Sequence, residues 1–168
     1  AEALIRCQRT SGNQLVIFCS SQGTKAGGTQ DRFISLQARG ANQSNVLRLN
    51  VRLGDPPADA WVYVDSNAAH PNNEWMHVVG VFNASDEPNK LKLYLNGVKQ
   101  ADEETDTRAF NPHAAGIPTS AGGYDIDQVE EELQGAFAFV RIYERGLTAS
   151  EVGQNYVDAL TYFPPVPV

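Results

Sequence analysis

The residues best suited to hold a hard cation form an acidic run late in the chain. Asp125, Asp127 and Glu130 carry carboxylate oxygens, and Gly122-Gly123 just before them offers loop carbonyls. Calcium takes about six to eight oxygen ligands of these kinds. We therefore predict Asp125, Asp127 and Glu130 as candidate metal ligands, with Ca²⁺ as the one cofactor expected. A solvated run of charges is the alternative, because no complete ligand pattern such as an EF-hand is present.

Aromatic side chains close to loops form the second chemical feature, because a flat ring can stack on the apolar face of a pyranose. Trp61 and Tyr63 alternate with valines and so share one face of a predicted strand. Tyr124 follows Gly122-Gly123 directly. We predict Trp61, Tyr63 and Tyr124 as candidate ligand-binding residues. For Trp61, burial in the hydrophobic core is the favoured alternative.

The other residue types form no recognisable catalytic set. His70, His77 and His113 are scattered without the spacing of metal ligands, which argues against zinc. No Ser-His-Asp or Cys-His arrangement and no glycine-rich phosphate loop in a strand–loop–helix context can be found. The sequence therefore predicts a protein that is not an enzyme.

Cys7 and Cys19 flank a turn signal at Gly12-Asn13. If residues 3–8 and 14–20 form a hairpin, the two thiols lie opposite each other, and a cross-strand disulfide becomes geometrically possible. Such a bond would indicate an oxidising compartment. Two buried thiols are the equal alternative, because spacing alone does not fix a disulfide.

Length and composition narrow the possible fold and the possible partners further. The 168 residues suit one domain with a sizeable core, and 42% hydrophobic residues argue against disorder. The net charge of −7 argues against nucleic acid, which favours a basic face, and remains compatible with neutral glycans, cations or a basic protein patch. No apolar run has the length of a membrane span, so no membrane insertion is expected.

The element at the centre of the chain is a predicted strand pair at residues 74–99. Residues 75–82 are apolar on both faces, which is typical of a strand inside a sandwich. Leu91, Leu93 and Leu95 then alternate with Lys92 and Tyr94, as in a half-buried strand. Asn96-Gly97 comes next and is a strong hairpin signal, because a type I′ turn needs positive φ at both central residues.

Short predicted strands with turn signals between them fill most of the remaining chain. One of them, at 46–53, directs Arg48, Asn50 and Arg52 to a wet face. The one predicted helix begins at a capping box, Thr148 with Glu151, and runs to about Val157. This pattern predicts an all-β fold: a two-sheet antiparallel jelly-roll sandwich with one short C-terminal helix. We expect one domain at 1–160 and a Pro-rich tail or linker at 161–168.

Two segments covering about a third of the chain resemble a known family. EWMHVVGVFN…NKLKLYLNG (74–97) resembles the W-x-H-V-A…L-Y-V-N-G signature of laminin-G-like jelly rolls. LQGAFAFVRIYERGLTASEVGQNY (133–156) resembles their closing motif, F-x-G-x-I-D-x-V-R-I-Y-N-R-x-L-[ST]-x-x-E-[IV]. The resemblance implies a concanavalin A-like lectin/glucanase sandwich. In such a sandwich Trp75 and Phe82 would fill the space between the sheets, and Leu147 and Val152 would hold the helix on the sandwich edge.

The chain departs from the family at informative positions. Ala138 stands where the family usually has an Asp that often supports a calcium site or a loop, so a family-type calcium site is in doubt. The family also commonly begins with a strand before the one expected at Ala3–Cys7. Asp125 stands where related laminarinase-type glucanases have the first Glu of E-x-D-x-x-E, and the shorter side chain withdraws the nucleophile.

The resemblance therefore implies a non-catalytic recognition module that binds carbohydrate in the manner of a lectin, in an extracellular or surface-attached protein. Its partner would be a glycan or a surface protein. The alternative is a protein-interaction or structural module for adhesion or for decoration of a virion or cell surface. A glycan hydrolase is the third hypothesis.

Overall fold

The computed structural model describes residues 1–8, 15–21, 33–53, 60–86, 89–101, 104–110, 119–123 and 133–163. Within these ranges the chain forms two five-stranded antiparallel sheets and one C-terminal helix, as the sequence predicts. The elements are β1 Glu2–Cys7, β2 Leu15–Ser21, β3 Phe33–Ala38, β4 Leu47–Leu53, β5 Ala60–Asp65, β6 Trp75–Phe82, β7 Leu91–Leu95, β8 Val98–Lys99, β9 Thr119–Ala121, β10 Gly135–Arg141 and α1 Ala149–Tyr162. The strand order is β10-β1-β6-β7-β8 in the first sheet and β5-β4-β3-β2-β9 in the second.

The hydrophobic core lies between the two sheets and is built from alternate residues of their strands. Ile5 and Met76 come from the first sheet, and Leu36, Leu49 and Val64 come from the second. Side chains alternate between the two faces of a strand, so in strands such as β4 and β5 every second residue enters this core. The intervening residues lie on the outer faces of the two sheets.

The predicted hairpin between β7 and β8 is confirmed. Asn96 and Gly97 both have positive φ, at 51° and 77°, as a type I′ turn requires. The turn also contacts the rest of the fold, because Asn96 Oδ1 accepts a hydrogen bond from the His77 backbone N–H at 2.9 Å. A Cβ added to Gly97 would lie 3.0 Å from Tyr156 of α1, so the turn and the helix are packed together.

The helix explains why β6 is apolar on both faces. Met76 and Val78 of β6 enter the core between the sheets. Val79 and Val81 lie on the opposite face, where they pack with Val152 of α1. The helix therefore covers the outer face of the first sheet rather than the sandwich edge. It also continues to Tyr162, past the predicted end near Val157.

Trp75 lies on the same outer face as Val79 and Val81, so its predicted position between the sheets is wrong. Its neighbour across the strands is Arg6, whose guanidinium carbon is 5.6 Å from the Trp75 ring centroid. Phe82 has the opposite parity and packs against the core as expected. Trp75 and Phe82 therefore lie on opposite faces of β6, although the sequence motif predicts both between the sheets.

The hairpin between residues 3–8 and 14–20, on which the possible disulfide depends, does not form. β1 pairs with β6 and β10, whereas β2 pairs with β3 and β9 in the other sheet. The chain crosses between the sheets after β1, so Cys7 and Cys19 are not cross-strand neighbours. Both are buried thiols, and of the two alternatives left open by the sequence this one is found.

Candidate ligand-binding face

The two predicted aromatic residues of β5 are exposed on the outer face of the second sheet. Val62 and Val64 enter the core, so their neighbours Trp61 and Tyr63 point the other way. Trp61 is 41% exposed and Tyr63 is 47% exposed. Burial of Trp61 in the core is therefore the wrong alternative. β5 is an edge strand, and both rings lie within reach of a ligand.

An arginine of the neighbouring strand fixes the surroundings of Tyr63. Arg48 lies directly opposite Asp65 in the β4–β5 register and donates two hydrogen bonds to its carboxylate, each 2.7 Å long. The Arg48 guanidinium carbon also lies 3.7 Å from the Tyr63 ring centroid. A bidentate ion pair together with a cation–π contact holds both the arginine and the ring in place. On the β4 face predicted to be wet, Arg48 thus lies in an ordered ion pair, whereas Asn50 is buried.

A row of hydrogen-bonded polar side chains runs across the same face. Arg39 Nη1 donates to Gln37 Oε1 at 2.7 Å, Gln37 Nε2 donates to Ser35 Oγ at 2.8 Å, and Ser35 Oγ donates to Asn50 Oδ1 at 3.0 Å. Each hydrogen bond in this row determines which atom of the next side chain donates and which accepts. The row ends on the carbonyl oxygen of Asn50, which leaves the amide nitrogen of Asn50 as a donor directly opposite Tyr63.

We name Arg48, Asn50, Trp61, Tyr63 and Asp65 the β5 strip. It combines two exposed rings, an ion pair and an oriented amide on adjacent strands. The rings supply apolar stacking surface, and the amide and carboxylate supply directed hydrogen bonds. The aromatic residues could be found from the sequence, whereas Arg48, Asn50 and Asp65 depend on a register that only the fold provides.

The other predicted site residues cannot be placed in this way. Tyr124, Asp125, Asp127 and Glu130 lie outside the described residues. The preceding turn is described: Gly122 has φ of 87°, and Ser120 Oγ donates to the Gly123 carbonyl at 2.6 Å. No group of three or more His, Cys, Asp or Glu side chains suited to a metal occurs in the described ranges. The calcium site at Asp125, Asp127 and Glu130 stays a prediction.

A second polar cluster lies beneath the helix, and no sequence motif marks it. The buried carboxylate of Glu2 accepts hydrogen bonds from His77 Nε2 at 2.9 Å, from Asn155 Nδ2 at 2.9 Å and from the Tyr143 hydroxyl. Arg141 approaches the same carboxylate at 3.4 Å. These residues are separated by up to 153 positions in the chain, so only the folded state brings them together.

The Glu2 cluster has the electrostatics of a structural anchor. Burial raises the pKa of the Glu2 carboxyl, but hydrogen bonds from His77 and Tyr143 outweigh burial and hold this pKa below its usual value. Burial and the bond to Glu2 raise the pKa of Tyr143. Glu2 and His77 are fully buried, so no substrate has access to the pair. The cluster joins β1, β6 and α1 rather than forming a reaction centre.

The fold also brings Cys7 close to His70, with Sγ 3.8 Å from Nδ1. This pair has the composition of a nucleophile and its base, but not the geometry. His70 Nδ1 lies 2.8 Å from the Pro71 carbonyl oxygen, to which it can only donate, so it is not oriented to accept a thiol proton. Both side chains are buried. The two residues are 63 positions apart, so no local sequence pattern marks this pair.

No helix among the described residues is long and apolar enough to cross a bilayer.

Comparison with known proteins identifies the family. A laminin-G family model, described as Concanavalin A-like lectin/glucanases superfamily, matches residues 2–153. Among curated proteins no match is found. A crystal structure of a native heptameric SAP-like pentraxin from Limulus polyphemus aligns with a TM-score of 0.53 at 18% identity, covering 90% of this chain and 67% of that chain, which is a likeness of fold. The chain therefore belongs to the concanavalin A-like lectin/glucanase superfamily.

Proposed function

We propose that this chain is a non-catalytic, lectin-like recognition module that binds carbohydrate at the β5 strip. The observation that carries the proposal is the exposure of Trp61 and Tyr63, at 41% and 47%, beside groups whose orientation is already fixed. An exposed tryptophan next to an exposed tyrosine leaves apolar area in water that a pyranose face can cover.

The polar groups of the strip suit hydroxyl ligands. The Asn50 amide offers a donor, and the Asp65 carboxylate offers acceptors. Arg48 and Ser35 hold these groups before any ligand arrives, so little side-chain ordering remains to oppose binding. The net charge of −7 makes a nucleic acid an unfavourable partner for the same aromatic rings.

The strip lacks the chemistry of a glycosidase. Retaining and inverting glycosidases use two carboxyl groups about 5 to 10 Å apart. Asp65 is the one carboxylate among the described side chains of the strip, and Arg48 engages both of its oxygens. This supports binding without hydrolysis.

The proposal places the protein outside the cell or on its surface, and it keeps calcium at Asp125, Asp127 and Glu130 as a separate, optional contribution. Calcium can hold a loop next to a binding face without contacting the β5 strip. Every binding experiment should therefore be run both with Ca²⁺ and with a chelator.

The test is a glycan array probed with the wild-type chain and with Trp61→Ala, Tyr63→Ala and Asn50→Asp. We expect the wild type to bind a set of glycans, and each substitution to lower affinity about tenfold, because a stacked ring or a directed donor contributes on the order of 1 to 2 kcal/mol. Tyr162→Ala is the matched control, since Tyr162 is 77% exposed on α1 over the other sheet. Unchanged glycan binding by all three strip variants would contradict the proposal.

The alternative function, a protein-interaction or structural module, is favoured by a different observation. Val157, Leu160 and Tyr162 are exposed apolar residues on α1. If the array shows no binding at all, sedimentation of the wild type and of Tyr162→Ala decides for or against self-association through this helix.

A further inference from the structure

The two charged side chains of the β5 strip neutralise each other. Arg48 and Asp65 lie opposite each other in the β4–β5 register, and Arg48 donates from Nε to Oδ1 and from Nη2 to Oδ2, at 2.7 Å each. Such a bidentate pair occupies both carboxylate oxygens and one edge of the guanidinium. The two side chains are 20% and 25% exposed, so a ligand on the strip can reach them. What it meets there is a pair without net charge.

The guanidinium of Arg48 is engaged on its face as well as on its edge. Its carbon lies 3.7 Å from the centroid of the Tyr63 ring. A carboxylate on a ligand would bind this same guanidinium, because arginine is the side chain best suited to bidentate recognition of that group. It would then have to share Arg48 with the carboxylate of Asp65. Two like charges about 4 Å apart repel each other enough to lower affinity roughly fivefold even in water.

The surroundings do not favour an anion either. Arg39, a second arginine described on this face, already donates from Nη1 to Gln37 Oε1 at 2.7 Å. The net charge of the chain is −7, which adds a weak long-range repulsion for anionic ligands. Asp65 is therefore the group that decides whether the strip offers a ligand a positive charge.

We infer that Asp65 determines the charge selectivity of the site: by occupying Arg48, it makes the β5 strip select neutral glycans over carboxylated ones. The inference rests on the proposed function and specifies its ligand class. Removal of the Asp65 charge would leave a guanidinium that is still held against Tyr63. The strip would then accept glycans that carry a carboxylate.

The experiment compares glycans that differ in their carboxylates. The pairs are manno-oligosaccharides with oligomannuronates, galacto-oligosaccharides with oligogalacturonates, and cello-oligosaccharides with oligoglucuronates, together with any bound glycan of the array that has a carboxylated counterpart. We expect the wild type to bind the neutral member of a pair at least about fivefold more tightly. Raising NaCl from about 0.05 M to about 0.5 M should change that neutral affinity by less than about twofold, because no net charge is involved.

Asp65→Asn keeps the shape of the side chain and removes its charge. We expect the affinity for the acidic member, relative to the neutral one, to rise about tenfold or more, because an arginine–carboxylate hydrogen bond becomes available. High salt should weaken this gain. The double variant Arg48→Gln with Asp65→Asn should lose it, since the guanidinium is gone.

Asp86→Asn is the matched control. It removes the same charge from an ion pair with Lys92 on the first sheet, away from the strip, and should leave the ratio of acidic to neutral affinity at its wild-type value. Thermal melts establish that each variant is folded. The wild-type comparison and its salt dependence need no variant, so they test the inference independently of how Asp65→Asn folds.

The outcomes separate the inference from the proposed function. Wild-type binding of acidic glycans as tightly as neutral ones, or an Asp65→Asn ratio equal to that of Asp86→Asn, would overturn the charge selectivity and leave glycan recognition standing. Arg52 stands opposite Trp61 in the register, and its side chain lies outside the described residues. Acidic binding by the wild type that Arg52→Gln removes would overturn the inference in the same way. Absence of binding to every glycan, with and without Ca²⁺, would overturn the proposed function as well.

Discussion

At the scale of single residues, the buried polar side chains on the two outer faces of the sandwich have different roles. On the second sheet, the row from Arg39 to Asn50 ends at an amide beside exposed rings. On the first sheet, the polar groups converge on Glu2 and are sealed beneath α1. A buried carboxylate with several donors is costly to desolvate and is stabilising only while every donor is present.

Replacement of Glu2 tests this anchor. Glu2→Gln turns one acceptor oxygen into an NH₂ donor that faces the donors of His77, Tyr143 and Asn155, so we expect a loss of about 2 to 4 kcal/mol in the free energy of unfolding, measured with urea at pH 7. Glu144→Gln makes the same change at an exposed position and should shift it by less than about 0.5 kcal/mol.

The wild type and Glu2→Gln should also differ in how the free energy of unfolding depends on pH. The Glu2 pKa is lower in the folded state than in the unfolded chain, so its contribution to stability is complete above the unfolded pKa of about 4.3 and is lost as pH falls through the folded value. The wild type should lose this increment in acid, and Glu2→Gln should not. Parallel pH profiles would show that Glu2 is not the titrating anchor.

Residue-level features were partly predictable from the sequence. Trp61 and Tyr63 share a face because of simple alternation, and that was visible. Their exposure was not, since an aromatic residue on an edge strand is buried or exposed according to what covers the sheet. The Glu2 cluster combines residues from both ends of the described chain, and no local pattern marks such a site.

At the scale of elements, the strongest local signals gave the correct structures. Asn96-Gly97 forms the predicted turn, and Thr148 with Glu151 forms the predicted capping box. The possible hairpin between Cys7 and Cys19 stayed undecided at the level of sequence, because Gly12-Asn13 shows only that the chain turns. It does not show whether the next strand joins the same sheet or crosses to the opposite one.

Gly97 provides the test at this scale, because it serves the turn and the helix contact together. Gly97→Ala places a Cβ at φ of 77° and 3.0 Å from Tyr156, so we expect a loss of about 1 to 2 kcal/mol of unfolding free energy by thermal or urea melts.

Gly153→Ala is the matched control for the Gly97 variant. A Cβ at Gly153 meets no atom within 4 Å, and this helical position should gain about 0.5 to 1 kcal/mol. Equal effects of the two substitutions would show that the turn does not require positive φ.

At the scale of the whole molecule, the sandwich supplies two outer faces with different roles. Val152 of the helix and Leu147, which lies just before it, cover one of them, and the other presents the β5 strip at its edge. The sequence predicted the sandwich and its family, because alternation and the two motifs constrain the strands and the final helix. It could not choose the binding face, since that choice depends on strand order and on which face the helix covers.

Recognition at the β5 strip is tested most directly by an amide NMR titration of the ¹⁵N-labelled chain with a glycan trisaccharide that binds on the array. We expect the largest shift changes on β5 at Trp61 and Tyr63 and on β4 at Arg48 and Asn50, with α1 unaffected. Shift changes concentrated on α1 or on β9 and its following turn, with β5 unchanged, would contradict recognition at the β5 strip.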